Sequence, residues 1–281
     1  MRERITSRQN PRVIAACGLL DKKQRKKTGL FRFDGVKLLR EALAVDTELV
    51  TVYVREPMAE ETEAILQKAF DLGRLCEEQI VFVTDSVFDK LSEEKNPEGV
   101  LCVARQMTEL HRFADADCEI AAIAPKERLL LVEAMRDPGN LGTVMRSCAA
   151  LGIDRLILTD DCADLYHPKT LRGAMGAVFR LPTLTVASDR MPQAIVRLRA
   201  SGRRVYATAL HEDALTIGAM ALGQGDCFVI GNEGHGLSQQ TVEACTASAV
   251  IPMREGNESL NAAVAAAICI WETVKCSQSE S

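Results

Sequence analysis

Aromatic side chains are scarce in this chain: eight Phe, three Tyr and one Trp, 4% of 281 residues. Its core must therefore be mainly aliphatic. Long apolar runs are missing too. The longest uncharged apolar stretch near a terminus, Ala262 to Trp271, falls short of the roughly 20 residues that cross a bilayer. No apolar segment stands behind Met1-Arg2-Glu3-Arg4, which argues against a secretory signal. Ten cysteines are present, but none forms a Cys-x-x-Cys pair, and most lie in apolar segments such as Asp226-Cys227-Phe228-Val229-Ile230. The expectation is reduced, buried thiols in a cytoplasmic protein. His111, His167, His211 and His235 show no ligand spacing, so no metal site is expected. There is no 20–50-residue repeat and no low-complexity segment.

What is there fits a globular protein of one large or two ordinary domains, 47% apolar and 26% charged. Net charge is −5, which at first speaks against a nucleic-acid partner. The first forty residues, however, hold twelve Lys or Arg against Glu3, Asp21 and Asp34, a local balance of +9 that leaves −14 for the remainder. Such a patch on an acidic chain is an electrostatic footprint for phosphate; a solvated helix face is the competing explanation.

The N-terminal third alternates helix and strand. Pro11 to Leu20 has a helical pattern, Asp21 to Gly29 is a basic exposed segment, and a helix follows Gly35. Leu49 to Val54 and Ile80 to Val83 read as strands around a helix over 58–72 closed by Gly73. Gly99 to Ala104 completes a small α/β unit over residues 1–106. Residues 107–127, mixing charges, alanines and Pro125, read as a linker. A second domain over 128–276 is followed by a tail, 277–281. Its strand candidates are Leu129 to Val132, Leu156 to Leu158, Val205 to Thr208, Cys227 to Ile230 and Ala249 to Ile251. Helical patterns at 144–151, 191–200, 239–245 and 260–274 separate them. Continuous apolar strands alternating with helices indicate a parallel sheet covered on both faces.

Three polar patches follow strand candidates and lead into helices: Asn140 to Arg146, Ile230 to Ser238 and Ile251 to Asn261. Loops at the carboxyl ends of strands are where open α/β sheets bind ligands, so the three suggest one composite site. Gly231-Asn232-Glu233-Gly234-His235-Gly236 is not the dinucleotide fingerprint, and no Walker lysine follows it. Asn140 is placed to cap the helix that it opens, and Ser259 the last helix. Arg146 near the positive end of a helix does not complement the dipole and suits an incoming phosphate or a carboxylate.

These patches resemble the three signature motifs of the SpoU (TrmH-like) RNA 2′-O-ribose methyltransferases of the SPOUT class. Leu165 to Pro182 is similar to that family's connecting segment. Ile5 to Pro11 and Gly29 to Leu43 are similar to its L30e-like substrate-binding domain. Departures are small: Gly256 sits one position later than in many members, Asp34 replaces a common glutamate and Ala174 a common serine.

The resemblance implies a trefoil-knotted parallel-sheet α/β domain preceded by the small L30e-like domain, and a homodimer. It also implies S-adenosylmethionine held by Gly231, Ile251, Leu260 and Thr208. The polar active-site residues carried over are Asn140, Arg146, Glu233, Ser259 and Asn261. The RNA-binding set is Arg8, Arg12, Lys22, Lys23, Arg25, Lys26, Lys27 and Arg172, with ribosomal RNA favoured over transfer RNA.

The expected reaction is in-line attack of a ribose 2′-oxygen on the methyl carbon of the sulfonium, with the protein supplying position and electrostatics. In the family the counterpart of Arg146 is often assigned as the base. A guanidinium stays protonated in proteins, so the expectation is that Arg146 clamps phosphate and stabilises the developing oxyanion. Glu233 orients Arg146 or another donor; Asn140, Ser259 and Asn261 fix the ribose and the loops. Two competing readings fit less well. A Rossmann-type nucleotide enzyme needs a glycine fingerprint after the first strand, which is missing. A non-catalytic RNA-binding protein has no need of a methyl-donor pocket.

Overall fold

The computed structural model describes residues 3–115, 118–211, 213–254 and 259–278, with side chains as far as Lys275. Arg2, residues 255–258 of the third patch, the side chain of Cys276 and most of the tail expected at 277–281 lie outside the described residues. The chain divides into two units: Met1–Met107 with Tyr166–Phe179, and Thr108–Leu165 with Arg180–Ser281.

The first unit runs β1 (Glu3–Ile5), α1 (Pro11–Gly18), α2 (Lys22–Thr28), β2 (Leu30–Asp34), α3 (Val36–Ala44), β3 (Leu49–Arg55), α4 (Glu60–Asp71), β4 (Ile80–Val83), α5 (Asp85–Leu91) and β5 (Val100–Arg105). Its five-stranded sheet has the order β1-β4-β3-β5-β2, with β5 antiparallel to both β2 and β3. Val13, Tyr53, Val81, Phe88 and Leu101 form one of its buried clusters.

Local chemistry sets the first helices. Asn10 Oδ1 accepts the Arg12 N–H at 2.9 Å ahead of Pro11, whose missing N–H is harmless at a first helical position. Asp21 caps α2 in the same way, and Gly29, at φ 67°, ends it in the left-handed conformation. The basic segment is therefore a helix. It is not exposed throughout: Lys22, Lys23, Lys26 and Lys27 face solvent, but Arg25 is buried. The Arg25 guanidinium donates to the carbonyls of Leu19 and Leu20 at 2.7 and 2.8 Å, where the chain turns out of α1. This corrects the expectation that Arg25 grips RNA; its charge is taken up by unpaired backbone acceptors. Strand β2 is a further departure from the sequence expectation. Its Arg32 is buried and donates to the carbonyls of Ala16 and Leu91.

From Thr108 the second unit runs β6 (His111–Phe113), β7 (Leu129–Val132), α6 (Pro138–Leu151) and β8 (Arg155–Thr159). The chain then rejoins the first unit through α7 (Pro168–Ala174). There Tyr166 packs on Phe31 with ring centroids 4.5 Å apart, Phe179 meets Phe33 edge-on at 5.3 Å, and Arg172 pairs with Glu94 at 2.6 Å. The second unit continues with β9 (Thr183–Val186), α8 (Met191–Ala200), β10 (Val205–Thr208), β11 (Leu215–Thr216), β12 (Cys227–Ile230), α9 (Gln239–Ala244), β13 (Ala247–Val250) and α10 (Ala262–Gln278).

Among the described residues the eight strands of this unit are all parallel, in the order β11-β13-β10-β12-β7-β8-β9-β6. Leu129, Leu131, Val205, Ala207, Cys227 and Val229 share one core with Ile195 and Leu198 of α8. By the two-residue alternation of a strand, Leu130, Val132, Phe228 and Ile230 point to the opposite face, and they are equally buried. Helix α10 packs against β12 and α6. The segment expected as a linker contributes β6 and buries Ala114, Ile120 and Ile123 in the core of this unit. Its apolar residues are too widely spaced to read as a periodic element. Among the described residues no cysteine is in a disulfide, and six of the nine, including Cys148, Cys227, Cys245 and Cys269, are buried.

Candidate active site

The parallel order of β13, β10, β12 and β7 brings four carboxyl ends side by side. Thr208 ends β10, Gly231 follows β12 and Ile251 follows β13, so these three of the residues expected to hold a cofactor share one edge of the sheet. The Thr208 hydroxyl donates to the carbonyl of Val229 at 2.8 Å. Leu260 is exposed, beside the start of α10.

Helix α6 begins six residues before the expected Val144. Asp137 is its cap, its carboxylate accepting the Asn140 N–H at 2.8 Å, and Pro138 takes the first helical position. Asn140 is therefore not the cap, and its side chain is left for other work. Its Nδ2 donates to Glu233 Oε1 at 2.7 Å, and its Oδ1 accepts from Asn261 Nδ2 at 3.0 Å. Asn261, in turn, caps α10: its Oδ1 accepts from the N–H groups of Ala263 and Val264 at 2.9 and 3.3 Å. Ser259, expected in that role, is exposed and makes no hydrogen bond among the described residues. The chain of bonds fixes both amide orientations. Helix N–H groups require an oxygen from Asn261, its NH2 then faces the oxygen of Asn140, and the NH2 of Asn140 is left for the carboxylate.

Glu233 is thus engaged by Asn140 rather than by Arg146. Arg146 is the ninth residue of α6, more than two turns from its positive end; the expectation that it sits at the helix start is corrected accordingly. It is exposed and has no hydrogen bond or ion pair among the described residues. Beside the Asn140–Asn261 contact runs an open groove of about 430 Å³, lined by Asn140, Thr143, Ser147, Val264 and Trp271 among others.

The loop from Gly231 to Leu237 is drawn tight. A Cβ on Gly231 would lie 2.5 Å from the carbonyl carbon of Gly236 and 2.7 Å from the Leu237 nitrogen. Only glycine fits there. Asn232, absent from the residues expected at the site, accepts the N–H groups of Gly234 and His235 at 2.8 and 3.2 Å and donates to the carbonyl of Ala134 at 2.7 Å. An Asn between glycines carries the Asx-turn signal that could have found it. Asp137, ahead of a proline at N1, was recognisable by the same kind of rule.

Of the basic set, Arg8, Lys22, Lys23, Lys26 and Lys27 are exposed. Arg12 pairs with Glu3 and also donates to Thr51 Oγ1 at 3.2 Å. Arg172 is held by Glu94.

Residues 127–271 match the SpoU rRNA Methylase family, and residues 10–102 match the MRM3-like substrate binding domain. The chain belongs to the SpoU rRNA methylase family. It is 30% identical over 271 residues to the 23S rRNA (guanosine(2553)-2′-O)-methyltransferase RlmP of Bacillus subtilis, covering 96% of this chain and 98% of that protein. It is 29% identical over 278 residues to the 23S rRNA (uridine(2479)-2′-O)-methyltransferase of Streptomyces viridochromogenes, covering 97% and 92%. Among solved structures, the AdoMet-bound rRNA methyltransferase from Sinorhizobium meliloti superposes with a TM-score of 0.81 at 27% identity over 97% of each chain.

Proposed function

We propose that this protein is an S-adenosylmethionine-dependent RNA methyltransferase that methylates a ribose 2′-hydroxyl of ribosomal RNA. The observation that carries the reading is the chain Glu233–Asn140–Asn261, which joins the three signature loops at the carboxyl edge of a parallel sheet in a SpoU methylase. The relatives named above are 23S rRNA 2′-O-methyltransferases.

The residues at this edge fit the cofactor. Gly231 lets its loop close on itself where any side chain would collide with the backbone of Gly236 and Leu237, and backbone groups of Gly231, Ile251 and Leu260, together with Thr208, would hold the cofactor. When bound, S-adenosylmethionine supplies an activated methyl group on a good leaving group. The knot implied by the family resemblance belongs to this same proposal. It is supported by the adjacency of β13, β10 and β12.

The chain's own groups supply position and charge. Arg146, with no partner among the described residues, takes the RNA phosphate next to the reacting ribose and stabilises the developing 2′-oxyanion. Glu233 holds Asn140 in one orientation, and Asn140 and Asn261 tie α6 to α10 beside the reacting sugar. Ser259, two residues before Asn261 and exposed, is left to bond the ribose. Residues 1–106, completed by the Tyr166–Phe179 return, act as the RNA-binding domain through Arg8, Lys22, Lys23, Lys26 and Lys27, with Arg12 and Arg172 contributing when their carboxylate partners are displaced. The rest of 128–276, with the 108–127 segment that packs into its core, acts as the methyltransferase domain.

Two further points belong to the reading. Val264 and Trp271 on α10 are about half exposed, at 49% and 52%, and line the groove against α6. A second copy of the chain covers this apolar face, making the enzyme a homodimer. Among the described residues no helix is long and apolar enough to cross a membrane, and a cytoplasmic location is part of the proposal. Mapping 2′-O-methyl groups in total RNA from cells with and without the gene tests the activity. Loss of one ribosomal RNA site is expected, and identical maps would refute it.

A further inference from the structure

Glu133 has no place in the activity described so far, yet it is a buried carboxylate, 7% exposed, immediately after β7. A carboxylate is not retained in such a position unless hydrogen bonds replace its water. Both of its oxygens are used. Oε1 accepts the Ser238 N–H at 2.7 Å, and Oε2 accepts the Thr241 hydroxyl. Its own N–H continues the sheet, donating to the carbonyl of Ile230 at 2.9 Å. The next residue, Ala134, is held in the left-handed region at φ 54°. Its N–H donates to Thr159 Oγ1 at 2.8 Å, and its carbonyl accepts from Asn232 at 2.7 Å.

These bonds close both ends of one loop. Gly231 to Leu237 is anchored at its entry by Asn232 on the Ala134 carbonyl and at its exit by Ser238 on Glu133. Ser238 Oγ already accepts the Thr241 N–H and caps α9, and Glu133 takes the Ser238 N–H that this cap leaves open, so one carboxylate ties the helix start and the loop exit to the end of β7. We infer that Glu133 is a positioning residue for methyl transfer: it pre-shapes the Gly231–Leu237 loop as a wall of the S-adenosylmethionine pocket. The inference rests on the methyltransferase reading above. Without this tether the loop has to be ordered when the cofactor binds, and that ordering weakens affinity without altering the reacting geometry once formed.

The test separates KM from kcat on the full-length enzyme. Glu133→Ala leaves the Ser238 N–H and the Thr241 hydroxyl without their acceptor. It should raise KM for S-adenosylmethionine about tenfold while kcat stays within about threefold. Glu133→Gln keeps an acceptor for Ser238 and should restore KM to within about threefold of wild type. Calorimetry with S-adenosylmethionine alone should show the same order of affinities. A merely structural role predicts the reverse: a lower melting temperature and less active enzyme, with KM unchanged. That result overturns the inference. If Glu133→Ala is insoluble, Thr241→Val carries the test, since it removes one of the two bonds and keeps the charge. A KM about threefold higher supports the tether, and an unchanged KM overturns it. A wild type that binds no S-adenosylmethionine would overturn the methyltransferase reading together with this one; equal binding by wild type and Glu133→Ala overturns this one alone.

Discussion

Asn261 donates its side-chain amide to Asn140 at 3.0 Å across 121 residues of chain, while its oxygen caps α10. The two roles can be separated by one substitution. Asn261→Asp keeps an oxygen for the cap, and a negative charge at a helix N-terminus is favourable. It replaces the donor facing Asn140 by an acceptor, so Asn140 must turn and release Glu233. The variant should melt within about 1 kcal/mol of wild type and lose at least about tenfold in kcat. Thermal melts and single-turnover assays on the same preparation decide it, and unchanged turnover would show that the amide chain is not part of catalysis.

Arg146→Ala should lower kcat by about 10²–10³. Because the side chain is exposed and unpartnered among the described residues, melting temperature and cofactor affinity should hold. Arg146→Lys restores the charge but not the bidentate fork and should recover only part of the rate. Parallel loss of cofactor binding and activity in the alanine variant would rule out the clamp.

Two neighbouring kinds of cation on α2 are predicted to behave oppositely. Replacing Lys26 and Lys27 by alanine should weaken RNA binding and reduce its salt slope by about 0.7 for each phosphate no longer neutralised, with little effect on stability. Arg25→Ala should instead destabilise the fold by about 1–3 kcal/mol, because the carbonyls of Leu19 and Leu20 lose their donor. Filter binding across a salt series and urea melts distinguish them.

Gly231→Ala should destabilise by about 1–3 kcal/mol through overpacking against backbone and abolish measurable cofactor binding. The Gly236 carbonyl carbon, 2.5 Å from the added methyl, can move only by opening the loop. Calorimetry showing wild-type affinity in this variant would contradict the placement of the pocket.

Burial pushes the thiols of Cys227, Cys245 and Cys269 from 9.0 up to about 12. The folded protein keeps these protons at a pH where the unfolded chain has lost them. Their contribution is therefore complete below about pH 9 and disappears as pH rises toward about 12. Urea midpoints should fall between about pH 8 and about pH 10.5, and Cys269→Ala should flatten that fall. A slope unaffected by the substitution would deny the thiol its part.

The sequence is most legible where one physical cause acts alone. Leu129 to Val132, Val205 to Thr208 and Cys227 to Ile230 form strands with the bounds that their unbroken apolar runs indicate, because a covered parallel sheet demands nothing else. It is least legible where a charge is satisfied from a distance. Arg32 interrupts an apolar run, yet β2 forms because carbonyls of Ala16 and Leu91 receive its guanidinium. At the site, Asn140, Glu233 and Asn261 stand out by residue type. Their connection does not, since it spans 93 and 121 positions. The sequence pattern starts α6 late because Pro138-Gly139 looks like a turn until Asp137 is seen to cap it.

The return of Tyr166–Phe179 to the first unit has a covalent consequence. The chain passes between the units three times, so a single proteolytic cut at one junction leaves them joined. Expressing residues 1–106 by themselves would strip the cover from Phe31 and Phe33, now 0% and 2% exposed, and yield an adhesive fragment. A transplantable RNA-binding module has to be stitched from two distant stretches, with α7 spliced back beside β2.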